Sequence, residues 1–386
     1  MYYTANSNRN IYIPEKFRMY IQDRPFKEFT GQMLAQHDKA YRHLYKGGVI
    51  LVYGNWEKIK QLYEYIVRKQ RDILRGKNRD TSRDKKSRKN KQVDSVQVNH
   101  MRYRFALCAQ RDTLLADPPQ HIPYLFNFAG ENNDKNKEEC YYIPLYEFLK
   151  IKDSLKKQYN IHALQTSLTS HYTVLPPASQ KIYTLFQTTL ESLLPSMPCD
   201  LTVLDMGCGS GILAFIAVYV FGHQLKRIDV TDILPEALAS CNYNIDNLNT
   251  KNVIDTKKIT VLHGGDLFTG IDPGSNYDCI LFNPPWTIQR KWSKENKATA
   301  DYEFVILNAF LSNAGNFLGT HGTILLFYSD HSGQKVMDTV EELIKKYGYT
   351  IQNRVKEKIR AKGKVKKWDK CFIYQLTLSE IPAAAP

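Results

Sequence analysis

The sequence has few cysteines, no Cys-x-x-Cys pair and no long apolar run, the features that mark secreted, zinc-binding and membrane-spanning proteins. Among its 386 residues there are seven cysteines, an odd and low number, and no two of them form a Cys-x-x-Cys pair. This argues against a disulfide framework and a structural zinc site, so we expect no metal. No apolar run reaches the ~18 residues of a membrane-spanning helix, and the N-terminus lacks a signal-peptide core. We therefore expect a soluble cytoplasmic protein, or a nuclear one in a eukaryotic cell, that does not bind membranes.

Positive charge is abundant and unevenly placed. The chain has 53 Lys and Arg against 39 Asp and Glu, a net charge of +14. Residues 68–91 contain twelve Lys or Arg and three Asp, a net +9, and residues 354–370 carry a net +7. The remainder of the chain is slightly acidic. Such a distribution favours a polyanionic partner, and nucleic acid above all.

The length and the composition shifts predict more than one domain. Residues 1–160 are interpreted as an N-terminal α+β domain that recognises the substrate or a partner, with a basic loop at 68–92. Residues 76–92 contain no apolar side chain and cannot pack a core. Residues 161–200 are interpreted as a connector that includes the segment before the first motif. Residues 201–380 form the second domain.

In the second domain, apolar strands alternate with helices. Strands are predicted at 201–204, 227–230, 259–262, 277–282, 322–328, 349–358 and 371–378. Helices are predicted at 212–221, 235–247, 303–317 and 335–347. This alternation indicates an α/β fold with a doubly wound, Rossmann-like sheet of seven strands, closed by a C-terminal antiparallel hairpin.

A glycine-rich loop follows the first of these strands. Residues 205–211 read Asp-Met-Gly-Cys-Gly-Ser-Gly and lead into a helix, so the backbone can approach a ligand closely beside a positive helix end. Dinucleotide enzymes have similar loops, which makes the motif weak by itself. An acid follows each of the next two strands: Asp232 can accept the hydroxyls of a ribose, and Asp266 can hold an adenine amine. Because Asp205 would repel a pyrophosphate, we expect S-adenosylmethionine, which has an amine and no phosphate. The predicted cofactor-binding residues are Asp205, Gly207, Cys208, Gly209, Gly211, Asp232, Ile233, Asp266, Leu267 and Asn283.

Asn283-Pro284-Pro285-Trp286, after the fourth strand, is the most specific motif. The prolines fix the backbone, so that the Asn283 side-chain oxygen and the Pro284 carbonyl can accept both hydrogens of one planar NH2 group. Such a nitrogen is a poor nucleophile, and two acceptors would position it and stabilise its developing charge. Trp286 can stack on a planar substrate. These four residues are the predicted catalytic residues, for a methyl transfer that needs neither a covalent intermediate nor a metal.

On these motifs, residues 165–380 resemble class I S-adenosylmethionine-dependent methyltransferases with an Asn-Pro-Pro-aromatic motif. The resemblance implies that Asp205, Asp232 and Asp266, with Gly207 and Gly209, bind the cofactor and that residues 283–286 bind the target nitrogen. Family members methylate amines of adenine or guanine in RNA or DNA, or the glutamine amide of release factors. Residues 172–177 resemble a segment that flanks the cofactor pocket. Trp286 stands where Tyr or Phe is usual, which leaves the substrate class open.

Three functions are compatible with this sequence. The charge favours an N-methyltransferase acting on adenine or guanine, in RNA rather than DNA. The alternatives are a protein glutamine methyltransferase and a methyltransferase-fold module that binds without catalysis. If strand 349–358 runs parallel to the sheet, the following turn rims the active site, and its lysines can contact phosphates around the target. These predicted substrate-binding lysines are Lys362, Lys364, Lys366 and Lys367. Residues 301–303 are interpreted as a solvated helix start.

Overall fold

The chain forms two units, one over Met1–Ser154 and the other over Leu155–Pro386. The structure, a computed structural model, describes residues 1–5, 9–79, 99–131, 138–262, 264–289, 300–360 and 368–379. The expected domain boundary near residue 160 lies inside the second unit. Within the described ranges, no helix is long and apolar enough to cross a lipid bilayer.

A mixed sheet organises the first unit. Its strands are β1 (Tyr2–Thr4), β2 (Asn10–Tyr12), β3 (Phe26–Thr30), β4 (Val49–Tyr53), β5 (Phe105–Gln110), β6 (Thr113–Leu114), β7 (Gln120–His121) and β8 (Cys140–Pro144). Its helices are α1 (Glu15–Ile21), α2 (His37–Tyr45), α3 (Trp56–Arg79), α4 (Leu125–Phe128) and α5 (Leu145–Lys156), the last of which ends in the second unit.

The strand pairing in this unit corrects the predicted α+β class. The order is β1-β2-β8-β5-β4-β3, with β6 and β7 attached to β5. Strands β3, β4 and β5 are parallel neighbours, and helices α2 and α3 follow β3 and β4. Parallel neighbours need such crossover connections, so this region has α/β character. The antiparallel pairing of β5 with β8 makes the sheet mixed.

Part of the predicted basic loop is helical. Helix α3 begins at Trp56, where the Asn55 side chain accepts a hydrogen bond from the Lys58 backbone N–H at 3.1 Å, and it continues to Arg79. Residues 68–79 of the predicted 68–92 loop therefore belong to this helix. Lys, Arg and Gln are good helix formers, and an existing helix extends at little cost. Residues 80–92 lie outside the described residues.

The second unit begins with β9 (Tyr159–Ile161), β10 (Thr166–Leu168) and α6 (Gln180–Leu193). The later strands are β11 (Leu201–Met206), β12 (Leu225–Thr231), β13 (Ile259–Val261), β14 (Tyr277–Phe282), β15 (Thr287–Gln289), β16 (Ala300–Tyr302), β17 (Leu318–Ser329), β18 (Tyr349–Arg360) and β19 (Trp368–Leu378). The helices between them are α7 (Ile212–Phe221), α8 (Pro235–Lys251), α9 (Val305–Ala314) and α10 (Gln334–Lys346).

The main sheet of this unit has the order β13-β12-β11-β14-β17-β19-β18. The first five strands are parallel, and β19 runs antiparallel to both β17 and β18. The predicted mixed α/β class is confirmed. Because β18 is antiparallel to β19, it points in the same direction as β17. The carboxyl end of β18 therefore lies at the same edge of the sheet as the carboxyl ends of β11, β14 and β17.

Both faces of this sheet are buried, which explains its continuous apolar strands. In β14, Cys279 and Leu281 pack into the core beneath α6 and α7, whereas Ile280 and Phe282 pack into the core beneath α9 and α10. This alternation follows from the two-residue period of a strand.

Helix α6 corrects the prediction that residues 161–200 form a connector. Its apolar residues recur at helical spacing and join the same core as α7. They are Ile182, Tyr183, Leu185, Phe186, Leu190 and Leu193. The segment is thus part of the second unit rather than a link to it.

Candidate active site

The loops after the parallel strands of the second unit enclose a cavity of about 400 Å³. This is the carboxyl edge of the sheet, where open α/β sheets bind their ligands. Ten of the predicted site residues line it: Asp205, Gly207, Cys208, Gly209, Asp232, Ile233, Asp266, Leu267, Asn283 and Pro285. Three other predicted residues, Gly211, Pro284 and Trp286, do not line it.

The glycine loop between β11 and α7 uses backbone conformations that favour glycine. The φ angle is +67° at Gly207, +55° at Gly209 and +88° at Gly211. At Gly211 a side chain would also collide, since its Cβ would lie 2.5 Å from the ring of Phe215 and 2.7 Å from Cys241 Sγ. Gly211 thus packs the loop between α7 and α8, which is a structural role.

Asp205, near the end of β11, is a buried carboxyl group with one unused oxygen. Its Oδ2 accepts a hydrogen bond from the Ala214 backbone N–H at 3.0 Å, whereas Oδ1 has no hydrogen-bond partner among the described residues. Burial raises the pKa of Asp205 to about 8; the Ala214 bond opposes this rise and the charge of Asp232 adds to it. A cationic donor in the cavity would relieve this unfavourable environment.

The Asp232 carboxylate links the glycine loop to the loop between β12 and α8 through hydrogen bonds. Its Oδ2 accepts from the Gly209 backbone N–H and its Oδ1 from the Leu234 backbone N–H, both at 2.9 Å. Burial raises the pKa of Asp232, and these backbone bonds counteract the rise. Each carboxylate oxygen keeps a second lone pair. The side chain that shapes the glycine loop can therefore also accept the hydroxyls of a ligand.

Exposed apolar side chains surround the acids. Leu175 is 50% exposed, Ile233 53% and Val305 58%, and all three line the cavity. Leu175 belongs to the 172–177 segment that was expected to flank the pocket. Asp266 is exposed as well, at the start of the turn Leu267–Gly270. An apolar rim around buried acceptors suits a ligand with planar, weakly polar faces.

Asn283 follows the last residue of β14 and presents an unused acceptor. Its Oδ1 is buried and makes no hydrogen bond within the described residues, while its side chain lines the cavity. Pro284 is buried behind it and Pro285 lines the cavity. A buried acceptor without a partner costs free energy, about 1–3 kcal/mol, which a donor entering the cavity would recover. The expected role of the Pro284 carbonyl, as the second hydrogen-bond acceptor for the target NH2 group, stays a prediction.

Trp286 lies in a different place from the one expected. Its indole packs edge-on against Phe327, with 6.4 Å between ring centroids, and against His331 at 5.6 Å. His331 is in turn hydrogen-bonded through Nδ1 to Asp369 Oδ2 at 2.8 Å. The tryptophan therefore anchors the loop after β14 to the end of β17. Its expected stacking on the substrate stays a prediction.

The predicted substrate-binding lysines Lys362, Lys364, Lys366 and Lys367 lie outside the described residues. The strands on either side are described, and β18 runs parallel to β17, as the expectation for this turn required. The residues that flank the turn, Arg360 and Trp368, are paired with each other at the carboxyl edge.

Two polar residues on the buried face of α8 were missed by the sequence interpretation. The Asn244 amide donates to the carbonyls of Thr169 and Ser210, at 2.9 and 3.0 Å, and its Oδ1 accepts from the Thr169 N–H. Ser240, one turn earlier, accepts from the His171 N–H at 3.1 Å. Together they fasten the segment before α6 to the glycine loop. The available signal was their four-residue spacing on an otherwise apolar helix face.

Asp301 is the other missed residue, and it corrects the interpretation of residues 301–303 as solvated. It is fully buried in the middle of β16, which pairs with β15 directly after the Asn283–Trp286 loop. Its two oxygens accept from the backbone N–H groups of Ile306 and Leu307, at 3.0 and 3.1 Å. Burial raises the pKa of Asp301, against these bonds. The carboxylate thus caps the N-terminus of α9. It thereby holds in place the first turn of this helix, which lines the cavity.

Residues 186–355 match the methyltransferase small domain family. This region contains β11 to β17 and most of the cavity lining. The match and the names of relatives support a class I S-adenosylmethionine-dependent methyltransferase. The prediction that S-adenosylmethionine is the cofactor is confirmed.

Several proteins of known name are similar in sequence to part of this chain. A release factor glutamine methyltransferase of Rhodopirellula baltica is 33% identical over 104 residues, which are 26% of this chain and 32% of that protein. A ribosomal protein uL3 glutamine methyltransferase of Burkholderia pseudomallei is 35% identical, over 22% of this chain and 27% of that protein. A ribosomal RNA large subunit methyltransferase G of Colwellia psychrerythraea is 33% identical, over 28% and 24%. The chain thus spans about a third or less of the length of these relatives.

Solved structures resemble the chain more distantly. A putative RNA methyltransferase from Pyrococcus horikoshii matches with 17% identity and a TM-score of 0.38, over 60% of this chain and 98% of its own. A precorrin-6y C5,15-methyltransferase from Geobacter metallireducens matches with 14% identity and a TM-score of 0.37, over 55% and 94%.

The cavity fits S-adenosylmethionine on its own chemistry. The unpartnered Asp205 Oδ1 suits the ammonium group of the cofactor, and Asp232 retains lone pairs for the ribose hydroxyls. Ile233 and Leu175 add exposed apolar surface to the cavity lining. In the described ranges, no group of three or more His, Cys, Asp or Glu side chains could hold a metal ion.

Proposed function

We propose that the second unit is an N-methyltransferase that methylates a planar NH2 group. The observation that carries this proposal is the buried Asn283 Oδ1, which lines the cofactor cavity and has no hydrogen-bond partner among the described residues. S-adenosylmethionine supplies an electrophilic methyl group when it is bound. The protein then has to bring one weakly nucleophilic nitrogen to that group.

Asn283 performs this task by accepting an N–H of the target. Accepting the hydrogen orients the NH2 group and draws its nitrogen away from planarity, which returns the lone pair to the nitrogen. It also stabilises the positive charge that develops on the nitrogen as the new nitrogen–carbon bond forms at the expense of the methyl–sulfur bond, whose electron pair stays on the sulfur. Pro284 carries the second acceptor in this proposal. The methylated nitrogen is strongly acidic and releases one proton to solvent as the product leaves the site, so no strong base is required.

Asp205 and Asp232 bind and orient the cofactor in this proposal. The buried Asp205 carboxylate pairs with the ammonium, and Asp232 accepts the ribose hydroxyls while it holds the glycine loop. The apolar rim of Leu175, Ile233 and Val305 is covered by cofactor and substrate, which keeps water out of the reaction space. Exclusion of water strengthens the hydrogen bond from the target to Asn283.

Two substrate classes fit this chemistry. The net charge of +14 favours the exocyclic amine of adenine or guanine in RNA, and one relative is named a ribosomal RNA methyltransferase. The names of three other relatives favour the side-chain amide of glutamine. An amide and a nucleobase amine are alike in being planar and weakly nucleophilic, so the site itself accepts either. A cytoplasmic location remains a prediction.

The test is methyl transfer from labelled S-adenosylmethionine into an extract of the source cells, followed by nuclease or protease digestion. Asn283→Ala is expected to lower the rate by about 10²- to 10³-fold, because one stabilising group is lost from the transition state. Cofactor affinity, measured by calorimetry, should stay within about threefold, since Asn283 is assigned to the target. Asn313→Ala, at an exposed position of α9 away from the cavity, is the matched control.

The digestions decide between the substrate classes. Label removed by ribonuclease supports the nucleobase, and label removed by protease alone supports the glutamine amide. Full activity of Asn283→Ala would contradict the mechanism. An intact protein that binds cofactor but labels neither fraction would contradict the proposed function.

A further inference from the structure

Strands β18 and β19 extend past the rest of the sheet at the edge that holds the cavity. β17 ends at Ser329, which pairs with Cys371. Beyond that pair, residues 368–370 of β19 pair with residues 358–360 of β18 alone. Three residues of strand add about 10 Å. The two strands therefore form a short ribbon, hereafter the hairpin arm (residues 358–360 and 368–370), that projects beyond the sheet.

The arm stands close to the target-binding loop. β19 is the second strand from β14, and neighbouring strands are about 4.8 Å apart, so the arm lies roughly 10 Å to the side of the strand that leads into Asn283. A chain bound along the arm could therefore place one of its units in the cavity.

Three cations are exposed on the arm, whereas the two acids beside them, Asp369 and Asp330, are buried. Lys358 lies directly opposite Lys370, and Arg360 directly opposite Trp368. All three cationic residues are exposed, and none forms an ion pair within the described part of the chain. Like charges at opposite positions of a strand pair are destabilising. Their presence at a projecting edge points to a binding role for an anionic partner.

The neighbouring acids are already occupied. Glu357, on the other face of β18, is bonded to Lys181 at 3.0 Å, and Asp369 is buried and bonded to His331. Further back on the arm's own face, Glu341 is bonded to Arg354 at 2.6 Å. The positive charge of the arm is therefore left free to act on a partner.

An exposed aromatic side chain completes the surface. Trp368 is 46% exposed at the end of β19, beside Arg360 and with the Lys181 ammonium 6.0 Å from its ring centroid. Exposed aromatics among cations are the pattern by which proteins bind single-stranded nucleic acid, with bases stacked on rings and phosphates held by charge.

We propose that the hairpin arm is a docking surface for single-stranded nucleic acid, with Lys358, Arg360 and Lys370 on the phosphates and Trp368 stacked on a base. This rests on the proposed function, in its nucleobase form. The arm binds the strand beside the target, and the target base enters the cavity next to Asn283. A base in a duplex would first have to leave its stack, so the arm selects unpaired segments.

The experiment measures binding of the full chain, without cofactor, to a fluorescent 20-nucleotide RNA and to DNA of the same sequence, at 50 to 200 mM salt. Lys358→Gln/Lys370→Gln should weaken binding about tenfold or more at low salt. It should also reduce the slope of log affinity against log salt by about 1.4, since each phosphate contact to a single strand contributes about 0.7. Trp368→Ala should weaken binding by about tenfold, and Trp368→Phe should restore most of it.

Matched variants separate this effect from general charge and from misfolding. Lys251→Gln/Lys257→Gln removes two exposed lysines at the opposite edge of the same sheet, by the end of α8 and the start of β13. This pair should keep at least a third of the wild-type affinity. Lys358→Arg/Lys370→Arg should bind like wild type. Tighter binding of RNA or of DNA identifies the polymer.

Three results would overturn the proposal. One is an unchanged affinity and salt slope in the Lys358→Gln/Lys370→Gln variant, and another is an equal loss in the Lys251→Gln/Lys257→Gln pair. The third is a variant that binds the strand normally but no longer methylates a protein fraction, which would make the arm a protein contact. Because no cofactor is present, strand binding can succeed where methyl transfer fails, and the two proposals can fail separately.

Discussion

Asp205 links the cofactor cavity to the pH dependence of folding. Its folded pKa is raised by burial to about 8, whereas an unfolded aspartate ionises near pH 4. Between these values the folded protein holds a proton that the unfolded chain has lost. The free energy of unfolding therefore falls as pH rises from about 4 to about 8, by at most about 1.4 kcal/mol per pH unit from this group.

Asp205→Asn should remove this dependence. The amide oxygen can still accept the Ala214 N–H, and an amide does not ionise. We expect urea denaturation at pH 5 and pH 8 to show a smaller loss of stability in the variant than in the wild type. Asp338→Asn, at an exposed position of α10, should retain the wild-type difference. Equal losses in wild type and Asp205→Asn would show that another group causes the effect.

Single residues differed in how well the sequence predicted them. The placement of Asp205, Asp232 and Asn283 at the cavity was predictable, because each lies at the end of a strand or directly after one, and carboxyl ends of parallel strands meet at one edge. Trp286 was not, since the next two residues along a loop can turn into the core as readily as into a cavity. Asn244 was missed because its partners, Thr169 and Ser210, are far away in sequence.

Among the elements, α9 shows how the cavity wall depends on one buried carboxylate. Asp301 accepts the N–H groups of Ile306 and Leu307, so it caps this helix from a strand rather than from the preceding turn. Asp301→Ala should cost about 1–2 kcal/mol, the usual effect of losing a capping side chain. It should also weaken cofactor binding, because Tyr302, Val305 and Ile306 line the cavity.

Denaturation and calorimetry on the same preparation would test both parts. Asp338→Ala is the control, since Asp338 is exposed on α10 and accepts a hydrogen bond from the Gln334 amide one turn away. Its cost should be below about 0.5 kcal/mol, with cofactor affinity unchanged. If the Asp301→Ala variant loses stability but binds cofactor normally, the capping bonds stabilise α9 without shaping the cavity, and the second part of the prediction is wrong.

Elements with their own periodicity were the predictable ones. The sequence predicted α7 and β14 with the bounds that the structure shows, because their apolar runs end at glycine or proline. Helix α6 had an equally clear helical pattern, and only its proline-rich surroundings led to a connector. Strands β15 and β16 have three residues each and are defined by pairing with each other, which a local pattern cannot reveal.

At the scale of the whole molecule, the proposed chemistry lies in one unit, while recognition of the substrate is proposed for the other unit and for the hairpin arm. Among the residues that the structure describes, all those that line the cavity belong to the unit Leu155–Pro386. The net charge alone could not assign a substrate, because a ribosomal protein substrate is itself surrounded by anionic RNA. A basic enzyme is therefore expected for either substrate. The sequence did not predict the parallel strand pairs of the first sheet. The role of that unit in substrate recognition stays a proposal.

This separation predicts the outcome of removing the first unit. A chain that begins at residue 157, after the end of α5, should bind S-adenosylmethionine within about threefold of the full chain, because it retains the whole cavity lining. Its methyl transfer to the natural substrate should fall by tenfold or more, since the first unit is assigned to recognition. Calorimetry and the labelling assay measure the two effects. Circular dichroism establishes that the shortened chain is folded, and Asp205→Asn within it controls for specific binding. A folded fragment that no longer binds the cofactor would show that the cavity depends on the first unit.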